Sequence, residues 1–205
     1  NEESESNSHR NMSFISFSAK EKYFDIDSNI IKKEDKLDNS FLYAKIKELS
    51  PFNKNARFYL YYRASRDGDS SKIFHSKCDF IGPNITLIKT KKGYIFGAFT
   101  TKSWKHLFKD IKKEDPEYGT YIKDEKAFGF SLNEKKIYVN GRPDESIIFC
   151  NNNYGPIFNN YFFKIYDGFF KKGGICGKNE ESNFVGQEKD YEINGGEEKF
   201  DIEEM

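Results

Sequence analysis

Short apolar runs of four to seven residues alternate along the chain with turns rich in Asn, Gly, Asp and Pro. The clearest pair, NITLIKT and YIFGAFT, flanks Lys91-Lys92-Gly93 and predicts a β-hairpin with an exposed turn. Further short strands are predicted at AFGFSL, KKIYVN, IIFC, FFKIYD and FDIEEM. The pattern predicts a mainly β (α+β) fold, a two-sheet antiparallel β-sandwich with a few short flanking helices.

Two helices are predicted in the first half of the chain. FLYAKIKEL has apolar residues at helical spacing after a capping Ser40 and ends at Pro51. SKIFHSKCD follows the turn signal Asp67-Gly68, and Asp69 or Ser70 can cap its free amides. The aromatic run 57–63 is of strand type, and 105–124 reads as a charged loop with at most one helical turn.

The domain boundary follows from the polar start of the chain, NEESESNSHR, which has no apolar periodicity. Residues 1–24 are predicted to be a disordered or loosely attached segment, although the runs within 12–31 suit edge strands. Residues 25–205 are predicted to form one domain. Because 17% of the residues are aromatic, its core is expected to consist of Phe and Tyr.

Charge is balanced overall but unevenly distributed. Residues 1–40 carry 6 basic and 9 acidic side chains, 41–177 carry 24 and 14, and 178–205 carry 3 and 10. Packing of the acidic C-terminal segment against the basic middle is favoured over an acidic partner. No dense Lys/Arg stripe predicts nucleic-acid binding, and no apolar run predicts membrane insertion.

Three distant cysteines, without a CxxC motif or zinc-type spacing, favour a reducing, cytoplasmic location. Cys78 lies three residues after His75 on the predicted helix, so a reactive thiolate is one interpretation. A half-buried structural cysteine facing the core is favoured, because no third residue orients the pair.

The same stretch contains two partial metal-binding patterns. Asp67-x-Asp69 begins like a calcium loop, but Lys72 stands where glycine is needed and Cys78 where a bidentate Glu is needed. His75, Cys78 and Asp79 supply part of a transition-metal site, yet no second ligand cluster is near in sequence. No metal and no cofactor are therefore predicted.

Catalytic motifs are missing from the sequence. The glycine-rich stretch 171–177 lacks the order of a phosphate-binding loop and is predicted to be a mobile turn. Glu197-Glu198 and Glu203-Glu204 are predicted to be solvated. No catalytic residue is assigned, and the protein is predicted not to be an enzyme.

Several motifs follow one another within residues 57–104: YYRASRDG, FHSKCD, Gly82-Pro83, TLIKT, GYIFGAF and Ser103-Trp104. Together they resemble the signature of the TLDc domain family. Weaker similarity extends over 25–205, through SNII, FGFSL, GPIF and FDIEEM, which is expected to be a closing strand that continues beyond Met205.

The resemblance marks a set of motif residues with mostly structural roles: Arg63, Ser65, Arg66, Asp67, Gly68, Cys78, Gly82, Pro83, Gly93, Phe96, Gly97 and Trp104. Arg66 and Asp69 are the candidates for an exposed interaction site.

The family resemblance implies a β-sandwich and a non-catalytic role. TLDc proteins are linked to protection against oxidative stress and bind the cytosolic sector of the vacuolar-type proton-translocating ATPase (V-ATPase), in some cases promoting its disassembly. The resemblance thus implies peripheral V-ATPase subunits as protein partners, and a cytoplasmic location with recruitment to endolysosomal or vacuolar membranes.

Two alternatives to this role stay open. One is a thiol-based antioxidant enzyme or redox sensor that uses Cys78. The other is a scaffold domain for another assembly, such as a cytoskeletal one. A composition rich in Lys, Asn, Phe and Tyr with little Ala is typical of an AT-rich protist genome.

Overall fold

The computed structural model describes residues 30–31, 38–49, 58–104, 119–158 and 162–205. Within them the helices are α1 (Ser40–Leu49), α2 (Ala64–Asp67), α3 (Ser71–Cys78) and α4 (Phe169–Lys172). The strands are β1 (Asn84–Thr90), β2 (Ile95–Thr100), β3 (Thr120–Lys123), β4 (Phe128–Ser131), β5 (Lys136–Asn140), β6 (Ser146–Cys150), β7 (Tyr154–Phe158), β8 (Phe163–Tyr166), β9 (Gly174–Ile175), β10 (Phe184–Val185), β11 (Lys199–Phe200) and β12 (Ile202–Glu204).

The strands form two six-stranded sheets, with the orders β10-β5-β4-β2-β1-β12 and β11-β9-β8-β7-β6-β3. Every pair of neighbouring strands in the two sheets is antiparallel. The predicted two-sheet antiparallel β-sandwich with short helices is therefore confirmed. The predicted hairpin is β1–β2, with pairing from Asn84↔Thr100 to Lys89↔Ile95.

The main core contains side chains from both sheets. Phe96 of β2 contacts Phe163 of β8 edge to face, with the ring centroids 5.8 Å apart. Trp104 contacts Phe158 of β7 and Phe74 of α3 at 5.4 and 5.7 Å. Edge-to-face contacts are favoured because the positive edge of one ring meets the negative face of the next. The core is largely aromatic, as the composition predicts.

A second cluster covers the outer face of the first sheet. Along β2, Phe96 and Ala98 belong to the main core, whereas Ile95 and Phe99 belong to the outer cluster with Leu42 of α1. Successive side chains of a strand point to opposite faces, so covering both faces buries all of β2. The predicted helix is confirmed as α1, but Ser40 is its first residue rather than its cap, and the Ser40 hydroxyl donates to Asp38 Oδ1 at 2.6 Å.

Three predictions of secondary structure are wrong. Residues 58–63 form no strand in either sheet, and Ala64 N, just after them, donates to the Met205 carbonyl at 2.7 Å. Residues 120–123 are strand β3 rather than loop, since they pair with β6. The stretch 171–177 is an ordered turn, because α4 ends in it and β9 pairs there with both β8 and β11.

The C-terminal segment packs against the basic middle, as the charge distribution predicts. Lys92 pairs with Glu197, Lys89 with Glu203 at 2.9 Å, and Lys136 with Glu192 at 2.8 Å. Most of these pairs are exposed at one side chain or both, so each contributes little to stability. The larger contribution is the placement of β10, β11 and β12 in the two sheets.

Other predictions lie outside the described residues: the disorder of 1–24, the edge strands over 12–29, the stop at Pro51 and the loop 105–118. In the described part of the chain, no helix has both the length and the apolar character needed to cross a bilayer.

Candidate functional site around α2 and α3

Asp67 organises the turn between α2 and α3. Its carboxylate accepts from Arg63 N at 2.9 Å, from Nε and Nη2 of Arg66 at 2.9 and 2.7 Å, and pairs with Lys77 Nζ at 3.3 Å. The forked hydrogen bond from Arg66 lowers the pKa of Asp67 below its usual value. Asp67 is thus held as a charged structural acceptor, while the Arg66 side chain stays 45% exposed.

Gly68 ends α2 in a conformation that favours glycine. Its φ is +109°, and a Cβ built there would lie 2.7 Å from Cδ1 of Ile73. Its carbonyl accepts from the Tyr62 hydroxyl at 2.6 Å, so the turn is also tied to the core. The Asp67-Gly68 turn predicted from the sequence is therefore present.

Gly68→Val is expected to lower the free energy of unfolding by about 2 kcal/mol, from backbone strain of about 1 kcal/mol and the contact with Ile73. Thermal unfolding measures the effect. Gly196→Val is the control, because Gly196 has φ +94° but nothing within 4 Å of its Cβ position. Equal losses of stability in the two variants would show that the contact with Ile73 contributes nothing. An unchanged melting temperature in Gly68→Val would contradict both the backbone strain and the contact.

Glu204 connects the C-terminal strand to α2. Its carboxylate accepts from the Ser65 hydroxyl, from Ser65 N at 3.1 Å and from Met205 N at 3.0 Å. Glu204 is buried, so the prediction that Glu203-Glu204 is a solvated pair is wrong for Glu204. An extended β12 directs alternate side chains inward, and the Ser65 donors then satisfy the buried acid.

Ser70 and Asp69 act as caps at the starts of two helices. Ser70 accepts from Ile73 N at 3.3 Å, which confirms it as the cap of α3. Asp69 accepts from Phe170 N at 3.2 Å, and its carbonyl accepts from Phe169 N at 2.9 Å, so it binds the first amides of α4. The exposed contact predicted for Arg66 and Asp69 stays a prediction, and Asp69 has this structural role as well.

His75 of α3 is buried against the β6–β7 turn. Nδ1 lies 2.8 Å from Asp79 Oδ1, and Nε2 lies 3.1 Å from the carbonyl oxygens of Asn151 and Tyr154. The structure also brings Cys150, from β6, into this cluster. Sequence reasoning missed Cys150 because it is far along the chain and shares no motif with His75.

The thiols are held in their protonated forms. Burial, followed by the Asp79 carboxylate, raises the pKa of Cys78 to about 12. The same two causes, in the same order, raise the pKa of Cys150 to about 12. Burial raises the pKa of Cys176 well above its usual value. A reactive thiolate needs the opposite environment, with nearby positive charge and a lowered pKa.

Phe80, two residues after the end of α3, combines exposure with an unusual backbone. The residue is 69% exposed, and its φ is +64°. Its amide donates to the Trp104 carbonyl at 3.0 Å, which fixes the backbone there. The sequence carries no signal for this residue, because one Phe among 21 does not stand out.

Three further motif residues have structural reasons of their own. Trp104 Nε1 donates to Asn84 Oδ1 at 2.9 Å. A Cβ on Gly82 would lie 2.8 Å from the Lys102 carbonyl, and Gly93 has φ +87° in the β1–β2 turn. Structural requirements therefore account for the residue types at these three motif positions.

The comparisons agree with the motifs. A family model described as the TLDc domain matches residues 31–205, and a search of the curated proteins found no match. The match covers most of the chain and both sheets, so the resemblance inferred from the motifs is confirmed. The chain therefore belongs to the TLDc domain family.

Proposed function

We propose that this protein is a non-catalytic interaction module that binds the peripheral, cytosolic sector of the vacuolar-type ATPase and contributes to protection against oxidative stress. Membership of the TLDc family carries the proposal. On this account the protein acts in the cytoplasm and is recruited to endolysosomal or vacuolar membranes through its partner.

Phe80 supports a binding role because its conformation is costly and its ring is not buried. A left-handed backbone costs a residue other than glycine about 1–2 kcal/mol. Phe80 is 69% exposed, so a large part of this apolar residue is accessible to a partner. Strained, exposed residues of this kind are concentrated at functional sites, and aromatic residues are enriched among binding hot spots.

The thiol alternative finds little support in the surroundings of Cys78. The raised pKa of its thiol, about 12, disfavours the thiolate that reduces peroxides. If Cys78 were the functional group, Cys78→Ser would abolish peroxide consumption. We expect the purified wild-type protein and Cys78→Ser to consume peroxide at the same background rate.

Capture from a cell lysate tests the proposed partner. The immobilised full chain is expected to recover peripheral V-ATPase subunits, and Phe80→Asn is expected to recover much less. Val139→Thr is the matched control, because Val139 is 43% exposed on a regular strand and the change removes apolar surface without altering shape. Recovery of a cytoskeletal assembly without V-ATPase subunits would support the scaffold alternative and contradict the proposal.

A further inference from the structure

Three different metal-ligating side chains meet at the end of α3. A ring nitrogen of His75, a carboxylate oxygen of Asp79 and Sγ of Cys150 all lie within 4.8 Å of one another. His75 lies in α3, and Asp79 directly follows the helix with its amide donating to the His75 carbonyl at 3.0 Å, while β6 supplies the thiol. Imidazole, carboxylate and thiolate are the three ligand types that zinc takes in proteins.

The hydrogen bonds of the His75 ring determine which nitrogen faces this cluster. Nε2 lies 3.1 Å from two backbone carbonyl oxygens, those of Asn151 and Tyr154. Carbonyl oxygens only accept, so Nε2 carries a hydrogen. Nδ1 lies 2.8 Å from a carboxylate oxygen of Asp79, which also accepts. A positive species, either a proton or a metal cation, must therefore lie between Nδ1 and Asp79.

The fixed Nε2–H has a second consequence. Histidines that bind metals usually donate their other ring N–H to a backbone carbonyl or a carboxylate, which sets the tautomer and the ring orientation. His75 already makes this bond to two carbonyls of the β6–β7 turn. Its ring is thus held with Nδ1 directed at the Asp79 carboxylate.

We propose that Nδ1 of His75, the Asp79 carboxylate and Sγ of Cys150 bind one Zn²⁺ ion, with the fourth coordination position open. Zinc–ligand bonds of about 2.0–2.3 Å in a tetrahedron place ligand atoms about 3.3–3.6 Å apart. The three ligand atoms already lie within 4.8 Å of one another, so side-chain shifts can bring them to these distances without a rearrangement of the backbone. The thiolate disfavours Mg²⁺ and Ca²⁺, which prefer oxygen ligands only.

Binding exchanges protons for the metal. The ion displaces the hydrogen between Nδ1 of His75 and Asp79 and the Sγ hydrogen of Cys150, forms bonds to nitrogen, oxygen and sulfur, and two protons leave to solvent. Two negative ligands then balance the two positive charges, which suits a buried position. The Asp79 side chain is 18% exposed and that of His75 is 6% exposed, so the ion enters from the Asp79 side.

Cobalt provides a direct probe, because Co²⁺ bound to a thiolate has a sulfur-to-metal absorption band. The full chain is freed of metal with a chelator, titrated with Co²⁺ and then with Zn²⁺ in competition. We expect one equivalent of Co²⁺ to produce the band and Zn²⁺ to remove it. Cys150→Ser is expected to abolish the band, and Asp79→Asn to keep it while weakening affinity at least tenfold.

Cys176→Ala is the matched control, since Cys176 is a buried thiol that is not part of this cluster, and it is expected to keep the band. Melting temperatures without metal establish that each variant is folded. The proposal would be overturned by the absence of a thiolate band in the folded wild-type protein, or by the same band in folded Cys150→Ser. If Cys150→Ser does not fold, unchanged affinity in Asp79→Asn overturns it instead.

Discussion

Gly97→Ala is expected to destabilise the domain by about 3 kcal/mol or more, the upper range for overpacking a core position. Gly97 lies in β2 opposite Leu87 of β1. A Cβ built on Gly97 would overlap the Thr86 carbonyl oxygen and would approach Cζ of Phe130 at 2.8 Å. The carbonyl is backbone, so the two strands themselves would have to separate. Because β2 is buried along its whole length, few neighbouring side chains can shift to relieve the overlap.

Chemical denaturation of the variant and the wild-type protein measures this loss. Gly93→Ala is the control, since nothing lies within 4 Å of its Cβ position and only its φ of +87° opposes a side chain. We expect Gly93→Ala to cost about 1 kcal/mol. If Gly97→Ala costs no more than this control, the close approach of β1 and β2 at Gly97 is wrong.

Trp104→Ala is expected to lower the free energy of unfolding by about 3–5 kcal/mol, as for other buried aromatic residues cut back to alanine. Trp104 is 2% exposed and joins α3 to the second sheet through its contacts with Phe74 and Phe158. Its removal leaves a cavity between them and removes the donor to Asn84.

Two further variants separate the contribution of ring packing at Trp104 from that of its hydrogen bond. Trp104→Phe keeps a ring but removes the hydrogen bond to Asn84, so we expect a loss of about 1–2 kcal/mol. Tyr121→Ala removes a ring that is 57% exposed and is expected to cost less than either. A loss below 1 kcal/mol in Trp104→Ala would contradict the assignment of Trp104 as a core residue.

The sequence predicts the local parts of this fold better than the distant ones. The β1–β2 hairpin, α1 and the Ser70 cap follow from periodicity, turn residues and capping chemistry within a few positions. The strand predicted at 58–63 is wrong, because a strand needs a partner and neither six-stranded sheet includes these residues. Strands that pair with a segment distant in sequence leave no local sequence pattern of that pairing.

The candidate site shows the same division. The Asp67-Gly68 turn and the cap of α3 can be predicted from residues adjacent in sequence. Cys150 beside His75, Ser65 beside Glu204 and the left-handed backbone of Phe80 each result from tertiary packing. Glu204 illustrates the physical reason: an acid in a polar segment is solvated unless a distant strand pairing buries it against a donor.

The most direct test of the central claim is a binding titration of the purified, folded domain against the purified peripheral sector of the V-ATPase. We expect saturable binding by the wild-type protein, and binding weakened about tenfold to thirtyfold by Phe80→Asn, the effect of losing one hot-spot residue. The melting temperature of Phe80→Asn should stay equal or rise, because Asn accepts a positive φ more readily than Phe. Absence of saturable binding by the folded wild-type domain would contradict the claim that it acts by binding this pump.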